Sequence, residues 1–445
     1  MTPQLSILSS STTPPVSLLR SLYVCYLSLE DPLVESQVVA YLEGLAESGH
    51  TIHLLTFETQ PLTRGRRREL RQAMRSRGLH WHGLRYHKRP SLAATAFDTL
   101  CGAVVSAWLV RRHELDAVHA RNHVPAAMAL LAAPFAAHQL VFDLRGLMAE
   151  EYVDAGRWPS GGLAFRVTKR VERAAMRRAA GTVVLTQRVR RVLFGEERRA
   201  DVFVIPCCAD VERIEADRTQ RDVARAALGL GDWPVMVYVG KFGGWYMDAE
   251  MADFFGVARD AIPGLHFLVI TQADSSAIER QFARRAIEPG EYTITRVEHA
   301  RLGAFLAAAD VAIALIEPAP SKVASSPTKI GECLAAGLPI LATDVGDVKE
   351  LLHGSRAGVV LEGFSNSAYR SAAAELAKLL ADEDTSDRCV ALARQHLSLR
   401  DIGLPRYRAL YRLVGALSAA AASAEQPPIE LVDAPDQSIE RERLR

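Results

Sequence analysis

The sequence has 445 residues, of which 49% are hydrophobic and 24% charged, and its formal net charge is +1. This composition is typical of a globular protein and excludes the fibrous and disordered classes. The length predicts two domains, because single hydrophobic cores stop growing beyond about 250–300 residues.

Residues 1–205 carry 27 Lys and Arg against 18 Asp and Glu, a net +9, so the remainder carries −8. The basic half is expected to attract a phosphorylated or lipid-linked acceptor, an anionic membrane or nucleic acid; the alternative is a solvated Arg-rich surface.

The first half of the chain alternates strand-like and helical segments. Residues 1–19, rich in Ser, Thr and Pro, precede it as an expected flexible leader without the early basic cluster of a signal peptide. Strands are predicted at residues 22–27, 51–57, 117–119, 140–143, 182–185 and 202–205, with helical patterns between them. The apolar segment 93–110 is interrupted by Asp98 and predicts a buried helix rather than a membrane span. A parallel sheet covered on both faces follows, in a domain over residues 20–208.

A second alternating series predicts another domain over residues 209–396. Its strands are expected at residues 235–239, 265–270, 292–295, 311–316, 339–343 and 358–361. Residues 367–417 are helical in pattern, and residues 419–445, which turn to Ala, Ser, Pro and charged residues, are expected to form a disordered tail. The predicted fold class is therefore α/β, with two doubly wound Rossmann-like domains.

The cysteine pattern predicts neither a disulfide framework nor a zinc site. Six cysteines are scattered without a CxxC pair or a nearby cluster of histidines, which is typical of a protein in the reducing cytoplasm. The adjacent Cys207 and Cys208 follow a predicted strand and are interpreted as ordinary packing residues.

The strongest local motif is SSPTKIGECLAAGLP at residues 325–339, between two predicted strands. Ser and Pro ahead of the helical pattern favour a helix N-terminus, where unpaired backbone N–H groups and the positive end of the dipole can hold a diphosphate. The motif resembles the donor-site helix of the retaining glycosyltransferases of family four, the glycosyl transferases group 1. The resemblance implies a GT-B fold, in which two Rossmann-like domains face a central cleft and a C-terminal helix, here residues 397–418, returns to the first domain.

The resemblance places a nucleoside diphosphate sugar on this helix. The donor-binding residues at its start would be Ser325, Ser326, Thr328 and Lys329, and Glu332 would accept hydrogen bonds from the ribose hydroxyls. The alternative for Glu332 taken alone is a solvated helix carboxylate.

Two departures from the family pattern concern charge. The family has another Glu eight residues before the ribose-binding carboxylate, where this chain has Ala324, and Glu317 in the same loop is the candidate substitute. The loop YVGKFGGWY at residues 238–246 supplies one basic donor-binding residue, Lys241, but the second basic position of the family falls on Met247. Lys329 is predicted to replace that phosphate contact.

Polar residues also follow predicted strands of the first domain, where an open α/β sheet has its ligand-binding crevice. Ser36 and Gln37 begin the first helix, and Arg121 and Arg145 follow two further strands; these four are the predicted acceptor-binding residues. By resemblance, Asp143 lies beside the reacting sugar and orients a hydroxyl. The alternative is that charged residues directly after strands are caps or salt-bridge partners.

These patterns predict a glycosyltransferase that moves a sugar from a nucleoside diphosphate sugar to a hydroxyl of a glycan, lipid-linked or small-molecule acceptor, with retention at the anomeric carbon. Asp143, Lys241 and Lys329 are the predicted catalytic residues, and the two lysines would stabilise the departing diphosphate. Neither a metal nor another cofactor is expected, because the D-x-D at residues 382–384 lies far from any predicted strand end. The alternatives are a sugar-nucleotide epimerase and a catalytically weakened nucleotide-sugar-binding protein.

The expected location is the cytoplasm, with peripheral contact to the inner face of the membrane through the basic first domain. The segment at residues 166–178 predicts an amphipathic helix whose arginines lie opposite Leu163 and Val167. Its basic face is either solvated or docked on anionic lipid headgroups. Nucleic acid is not among the expected partners.

Overall fold

The computed structural model describes residues 18–89 and 91–425. Most of the predicted leader, residues 1–17, and the end of the predicted tail, residues 426–445, lie outside the described residues. The described chain forms two parallel sheets, each covered by helices on both faces, as the alternating pattern predicts.

The first sheet has seven strands in the order β3-β2-β1-β4-β5-β6-β7. Its strands are β1 (Arg20–Cys25), β2 (Thr51–Glu58), β3 (Leu79–Arg85), β4 (Ala117–Arg121), β5 (Gln139–Asp143), β6 (Ala179–Val184) and β7 (Val202–Val204). Its helices are α1 (Pro32–Val34), α2 (Ala40–Ala46), α3 (Arg64–Ser76), α4 (Ser91–His113), α5 (His123–Ala132), α6 (Met148–Asp154), α7 (Leu163–Arg178) and α8 (Gln187–Phe194), and Glu35–Val39 is a π-helical turn between α1 and α2.

The second sheet has six strands in the order β10-β9-β8-β11-β12-β13. They are β8 (Val235–Val239), β9 (His266–Ile270), β10 (Tyr292–Thr295), β11 (Val311–Ala314), β12 (Ile340–Ala342) and β13 (Gly358–Val360). The helices of this half are α9 (Val211–Asp217), α10 (Arg221–Leu228), α11 (Asp248–Ala261), α12 (Ser275–Ala283), α13 (Leu302–Leu306), α14 (Thr328–Ala335), α15 (Val348–Leu352), α16 (Asn366–Leu380) and α17 (Thr385–Leu397), with a 3₁₀ turn at Pro320–Ala324.

The last helix, α18 (Leu404–Glu425), crosses back onto the first sheet. It packs against α2, β5 and β6, and Tyr407, Leu410, Tyr411 and Val414 are buried in the core of the first domain. The predicted disordered tail from residue 419 is wrong as far as Glu425, because the helix continues through an alanine run, and Ala has the highest helix propensity.

Helix α4 is only partly buried, which corrects the prediction of a buried helix. It packs against α5, β1 and β4, and its opposite face leaves Val104 and Trp108 70% and 57% exposed. Among the described residues, α4 is the helix that is long and apolar enough to cross a membrane, although 44% of its most apolar window is buried. Contact with the first sheet on one face and exposure on the other fit a surface helix of the domain.

Helix α7 is amphipathic and exposes Arg166, Arg170, Arg173 and Arg177 as predicted, but two of the predicted core residues are also exposed. The side chains that it buries are Thr168, Glu172 and Ala175, whereas the predicted core residues Leu163 and Val167 are 70% and 47% exposed. Glu172 can be buried because Lys169 pairs with its carboxylate and Nε2 of His123 lies 2.9 Å from it.

Candidate active site

The carboxyl ends of the two sheets face each other across a cleft of about 500 Å³. This is where doubly wound sheets bind ligands. The lining comes from both domains and consists of Cys25, Tyr26, Leu27, Leu33, Arg121, Asn122, Val124, Pro125, Arg145, Met148, Leu185, Cys207, Trp245, Tyr246, Ile316, Lys322, Ser325, Ser326, Pro327 and Thr328. A larger pocket of about 630 Å³ lies at the amino ends of β11 and β12 in the second sheet, around Arg218 and Asp310, and contains none of the predicted site residues.

Hydrogen bonds across the cleft fix the start of α14 relative to the first domain. The backbone N–H of Cys207 donates to Oγ of Ser326 at 3.0 Å, and Oγ1 of Thr186 donates to the carbonyl of Val323 at 2.7 Å. Gly346 closes over the same loop with a φ of +54°, and a Cβ there would lie 1.8 Å from the carbonyl oxygen of Ser325. The approach therefore requires glycine.

Helix α14 presents its N-terminus to this cleft. Ser325, Ser326 and Thr328, three of the residues for which donor binding is predicted, line the cleft, and no side chain caps the helix at Pro327. The helix ends with Gly337 at a φ of +81°, where the N–H of Leu338 bonds the carbonyl of Cys333. Its start therefore offers backbone N–H groups and the positive end of the helix dipole to an anion.

The structure does not place the two predicted phosphate cations in the cleft. Lys241 is exposed and does not line it. Lys329 is buried behind it, with Nζ 3.3 Å from the hydroxyl of Tyr238 and 3.9 Å from the centre of the Tyr246 ring. Burial lowers the pKa of Lys329 to about 7. Tertiary packing turns Lys329 toward aromatic rings in this structure, and the catalytic roles predicted for Lys241 and Lys329 stay predictions.

Lys322 is the cation that the second domain contributes to the cleft. Its side chain is 7% exposed, and its Nζ lies 3.9 Å from the centre of the Trp245 ring and 3.2 Å from a carboxylate oxygen of Glu151. The 3₁₀ turn that carries Lys322 packs on α6 and α8 of the first domain. Its place in the loop after β11, two residues before Ala324, is the signal in the sequence that could have identified it.

Ala324 is buried in the apolar core of the first domain. A carboxylate at this position would lose its hydration among apolar side chains, which explains the departure from the family pattern. Glu317, the candidate substitute, is exposed and does not line the cleft. Glu332 is buried within α14, and its contact with a ribose stays a prediction.

Asp143 is the centre of a buried polar cluster at the carboxyl end of β5. Its carboxylate accepts hydrogen bonds from the hydroxyls of Tyr23 and Tyr407, each at 3.3 Å. It lies 3.5 Å from Nη1 of Arg145 and 3.8 Å from Nη1 of Arg121. The side chain of Asp143 is fully buried and pairs with the two arginines, and its predicted contact with the sugar stays a prediction.

The charge of this cluster is set by its arginines. Burial opposes ionisation of Asp143, but Arg145, His119 and Arg121 hold its pKa well below the usual value. Burial also lowers the pKa of His119, so that its ring is neutral near pH 7. One carboxylate then faces two guanidinium groups, and the cluster keeps a net positive charge toward the cleft, which both arginines line.

Of the four predicted acceptor-binding residues, Arg121 and Arg145 reach the cleft and Ser36 and Gln37 do not. Ser36 donates its hydroxyl to the carbonyl of Pro32, one turn earlier. Gln37 is buried and donates to the carbonyl of Cys208, while its Oε1 accepts from Arg145 at 3.4 Å. The π-helical turn takes the place of the predicted regular helix start and turns Gln37 inward, so it supports Arg145.

Two family models match the chain. The model described as Glycosyltransferase Family 4 matches residues 34–213, and the model described as Glycosyl transferases group 1 matches residues 234–382. Together they span most of both domains. The chain belongs to the GT-B glycosyltransferases of family four.

Solved structures share the fold of this glycosyltransferase at low sequence identity. Sucrose-phosphate synthase from Thermosynechococcus elongatus is 16% identical with a TM-score of 0.65, over 91% of this chain and 100% of that one. Anabaena HepE, in complex with UDP and glucose, is 13% identical with a TM-score of 0.61, over 91% and 100%. Starch synthase IV from Arabidopsis thaliana, bound to ADP and acarbose, is 12% identical with a TM-score of 0.62, over 90% and 100%. A search of curated protein sequences finds no match.

Several residues of the glycosyltransferase cleft were missed by sequence reasoning. Cys207, interpreted as a packing residue, lines the cleft, and its Sγ lies 3.1 Å from Nη2 of Arg145. Asn122 follows β4 with a φ of +72° and caps α5 by accepting from the N–H of His123. An Asn directly after a strand and before a helix is a signal for such a cap.

The Asp143 cluster generates the first prediction. Asp143→Asn leaves two buried guanidinium groups against a neutral amide, so the free energy of unfolding at pH 7 should fall by about 3–5 kcal/mol. The folded-state pKa of Asp143 is depressed, so its contribution is complete above the unfolded pKa of about 4 and is lost as pH falls through the folded pKa. The difference between wild type and variant should therefore shrink by about 1 kcal/mol between pH 5 and pH 3. Chemical denaturation measures both values.

The matched control for Asp143→Asn is Glu317→Gln, which changes an exposed carboxylate in the same way and should leave stability within about 0.5 kcal/mol. Equal effects of the two substitutions would contradict the assignment of Asp143 as the centre of a buried charge cluster.

Proposed function

We propose that this glycosyltransferase transfers a sugar from a nucleoside diphosphate sugar to a hydroxyl of a glycan, lipid-linked or small-molecule acceptor, with retention and without a metal ion. The observation that carries the proposal is the character of the cleft lining. It combines Arg121, Arg145, Lys322 and the N-terminus of α14, and no lining residue among those described is Asp, Glu or His.

The leaving group explains why such a lining suits the reaction. As the bond between the sugar and the diphosphate breaks, negative charge accumulates on the phosphate oxygens, and fixed positive charge stabilises that state. Arg121 and Arg145 both line the cleft, and Asp143 is the one carboxylate paired with them among the described residues, so their guanidinium groups keep N–H donors that a bound phosphate group in the cleft would satisfy.

The lining also supports the stereochemistry and the metal independence. Inversion needs a general base opposite the leaving group to take the proton of the acceptor hydroxyl, and side-chain bases are usually His, Asp or Glu. In a retaining reaction in which the acceptor hydroxyl approaches the same face of the sugar that the leaving group departs from, the departing phosphate itself can take that proton. Mg²⁺ sites are built from carboxylate oxygens, whereas here Lys322, the two arginines and the helix terminus would neutralise the diphosphate.

The structural relatives support the donor class. HepE carries UDP and glucose, and starch synthase IV carries ADP. In the proposed complex the diphosphate lies at Ser325, Ser326 and Thr328, with Lys322 beside it, and the acceptor enters along the first domain near Tyr26 and Asn122.

The central test compares two lysines. Lys322→Met removes the cation that lines the cleft and should lower turnover by about 10²–10³-fold, as loss of one preorganised charge in a transition state does. Lys241→Met removes an exposed cation and should change turnover by less than about threefold. Glu151→Gln breaks the ion pair of Lys322 but keeps the cation, so it should retain activity. Turnover is measured with a panel of nucleoside diphosphate sugars and acceptors, and the product's anomeric configuration by NMR.

A Lys322→Met enzyme close to wild type would remove Lys322 from the reaction, and a Lys241→Met enzyme as impaired as Lys322→Met would support the catalytic role predicted for Lys241 and contradict the distinction between the two lysines. A product of inverted configuration would refute retention, and isomerisation of the donor without acceptor would indicate an epimerase.

The absence of metal chemistry is tested by chelation. Turnover in excess EDTA should equal turnover in buffer, because side chains and the helix dipole supply the positive charge. Loss of activity on chelation, restored by Mg²⁺ or Mn²⁺, would overturn the metal-independent mechanism.

We further propose that the first domain docks on an anionic membrane, at the inner face where lipid-linked acceptors would be met. Helix α5 packs against both α4 and α7, and the three helices together expose nine large apolar side chains. These are Leu92, Phe97, Leu100, Val104 and Trp108 of α4, Leu131 and Phe135 in and after α5, and Leu163 and Val167 of α7. Exposed arginines flank them on α7 and at the end of α4. Apolar side chains beside basic ones favour the interface of an anionic bilayer.

A matched pair of valines tests the membrane surface. Val104 of α4 and Val223 of α10 are each 70% exposed, one on the apolar surface and one on the second domain. Val104→Asp should weaken sedimentation with phosphatidylglycerol vesicles at least about tenfold, and Val223→Asp should not. Equal binding of both variants, or concentration-dependent dimerisation without vesicle binding, would contradict membrane docking.

A further inference from the structure

Three histidines from distant parts of the sequence meet on the first domain. His53 lies on β2, His82 on β3 and His113 at the last position of α4. The Nδ1 of His53 lies 3.0 Å from the Nε2 of His82. One ring nitrogen from each of the three residues lies within 4.8 Å of one from each of the others.

This histidine triplet is separate from the cleft. His53 is the third residue of β2, whereas the cleft lies at the carboxyl ends of the strands, and none of the three histidines lines it. Nothing in the proposed transfer reaction uses them.

The environment of the triplet suits a metal ion. His53 is buried and the other two are half-buried. Imidazole binds a metal ion in its neutral form, which a histidine of ordinary pKa, about 6.5, mostly adopts at pH 7 and above.

The spacing matches tetrahedral zinc. With Zn–N distances of about 2.0–2.1 Å, two ligand nitrogens of a tetrahedral ion lie about 3.3 Å apart. The 3.0 Å between the ring nitrogens of His53 and His82 is close to this value. The ring nitrogen of His113 lies within 4.8 Å of the other two, so it needs to move by about 1.5 Å at most. A change of rotamer at the end of the helix can supply this movement.

We propose that His53, His82 and His113 form a Zn²⁺ site with three imidazole ligands and a fourth position for water or an anion. The ion would join the end of α4 to the edge of the sheet formed by β2 and β3. The guanidinium groups of Arg71 and Arg112 lie close enough to influence His82 and His113, and both residues are exposed. Their charge favours an anionic fourth ligand such as hydroxide or chloride.

The test uses the full chain without an affinity tag, stripped with EDTA and dialysed. Calorimetry with Zn²⁺ should show one saturable site per chain, and Co²⁺ at the same site should give the visible absorption bands of four-coordinate cobalt. His113→Ala is the main variant, because it changes a half-buried residue at the end of a helix. It should weaken Zn²⁺ binding by at least about tenfold to hundredfold.

His353→Ala, an exposed histidine of the second domain, is the control and should bind Zn²⁺ like wild type. Zn²⁺ should raise the unfolding temperature of wild type and of this control, since it binds only the folded state, but not that of His113→Ala. Failure of the wild type to bind one equivalent, or equal Zn²⁺ affinity of wild type and His113→Ala, would refute the site. Neither result depends on turnover, so the test stands apart from the proposed transfer reaction.

Discussion

The charge balance around Asp143 is the constraint on which the cleft of this protein depends. One fully buried carboxylate holds two guanidinium groups at the ends of neighbouring strands, and hydroxyls from β1 and from α18 complete its hydrogen bonds. Two arginines this close would repel each other without a counterion in a medium of low dielectric constant. With Asp143 as the counterion, the two arginines are held in place and still leave an excess of positive charge toward the cleft.

The same cluster explains why the C-terminal helix returns to the first domain. Tyr407 of α18 donates to Asp143, and Tyr411 lies 3.1 Å from Nδ1 of His119. Helix α18 thus contributes polar contacts as well as apolar packing to the floor of the cleft, through hydrogen bonds between residues 264 and 292 positions apart in the chain.

Contact between the two domains likewise fixes the position of side chains on the donor side of the cleft. The 3₁₀ turn Pro320–Ala324 packs on the first domain, which buries Ala324 and brings Lys322 into the cleft beside Trp245. The carboxylate that the family pattern has at position 324 would be costly there. A lysine two residues earlier places a positive charge in the loop instead, and in the proposed reaction this is the point at which donor binding differs from the family pattern.

The sequence by itself determined the fold class, the alternation of strands and helices apart from the missed strand β3 (Leu79–Arg85), and the helix start at residues 325–328. These are local features: the alternation of strand and helix patterns, Ser and Pro before a helix, and Gly after it. Local features can be predicted from a sequence. The resemblance carried by the same motif also identified the family correctly.

What only the tertiary structure decided was which charged side chain faces which environment. Lys241, Lys322 and Lys329 are alike in sequence, but one is exposed, one lines the cleft and one is enclosed by Tyr238 and Tyr246. Likewise, His53, His82 and His113 become neighbours only through strand pairing and the length of α4. The physical reason is that burial, charge compensation and ligand geometry arise from residues far apart in the chain, and no local pattern records which of them will meet.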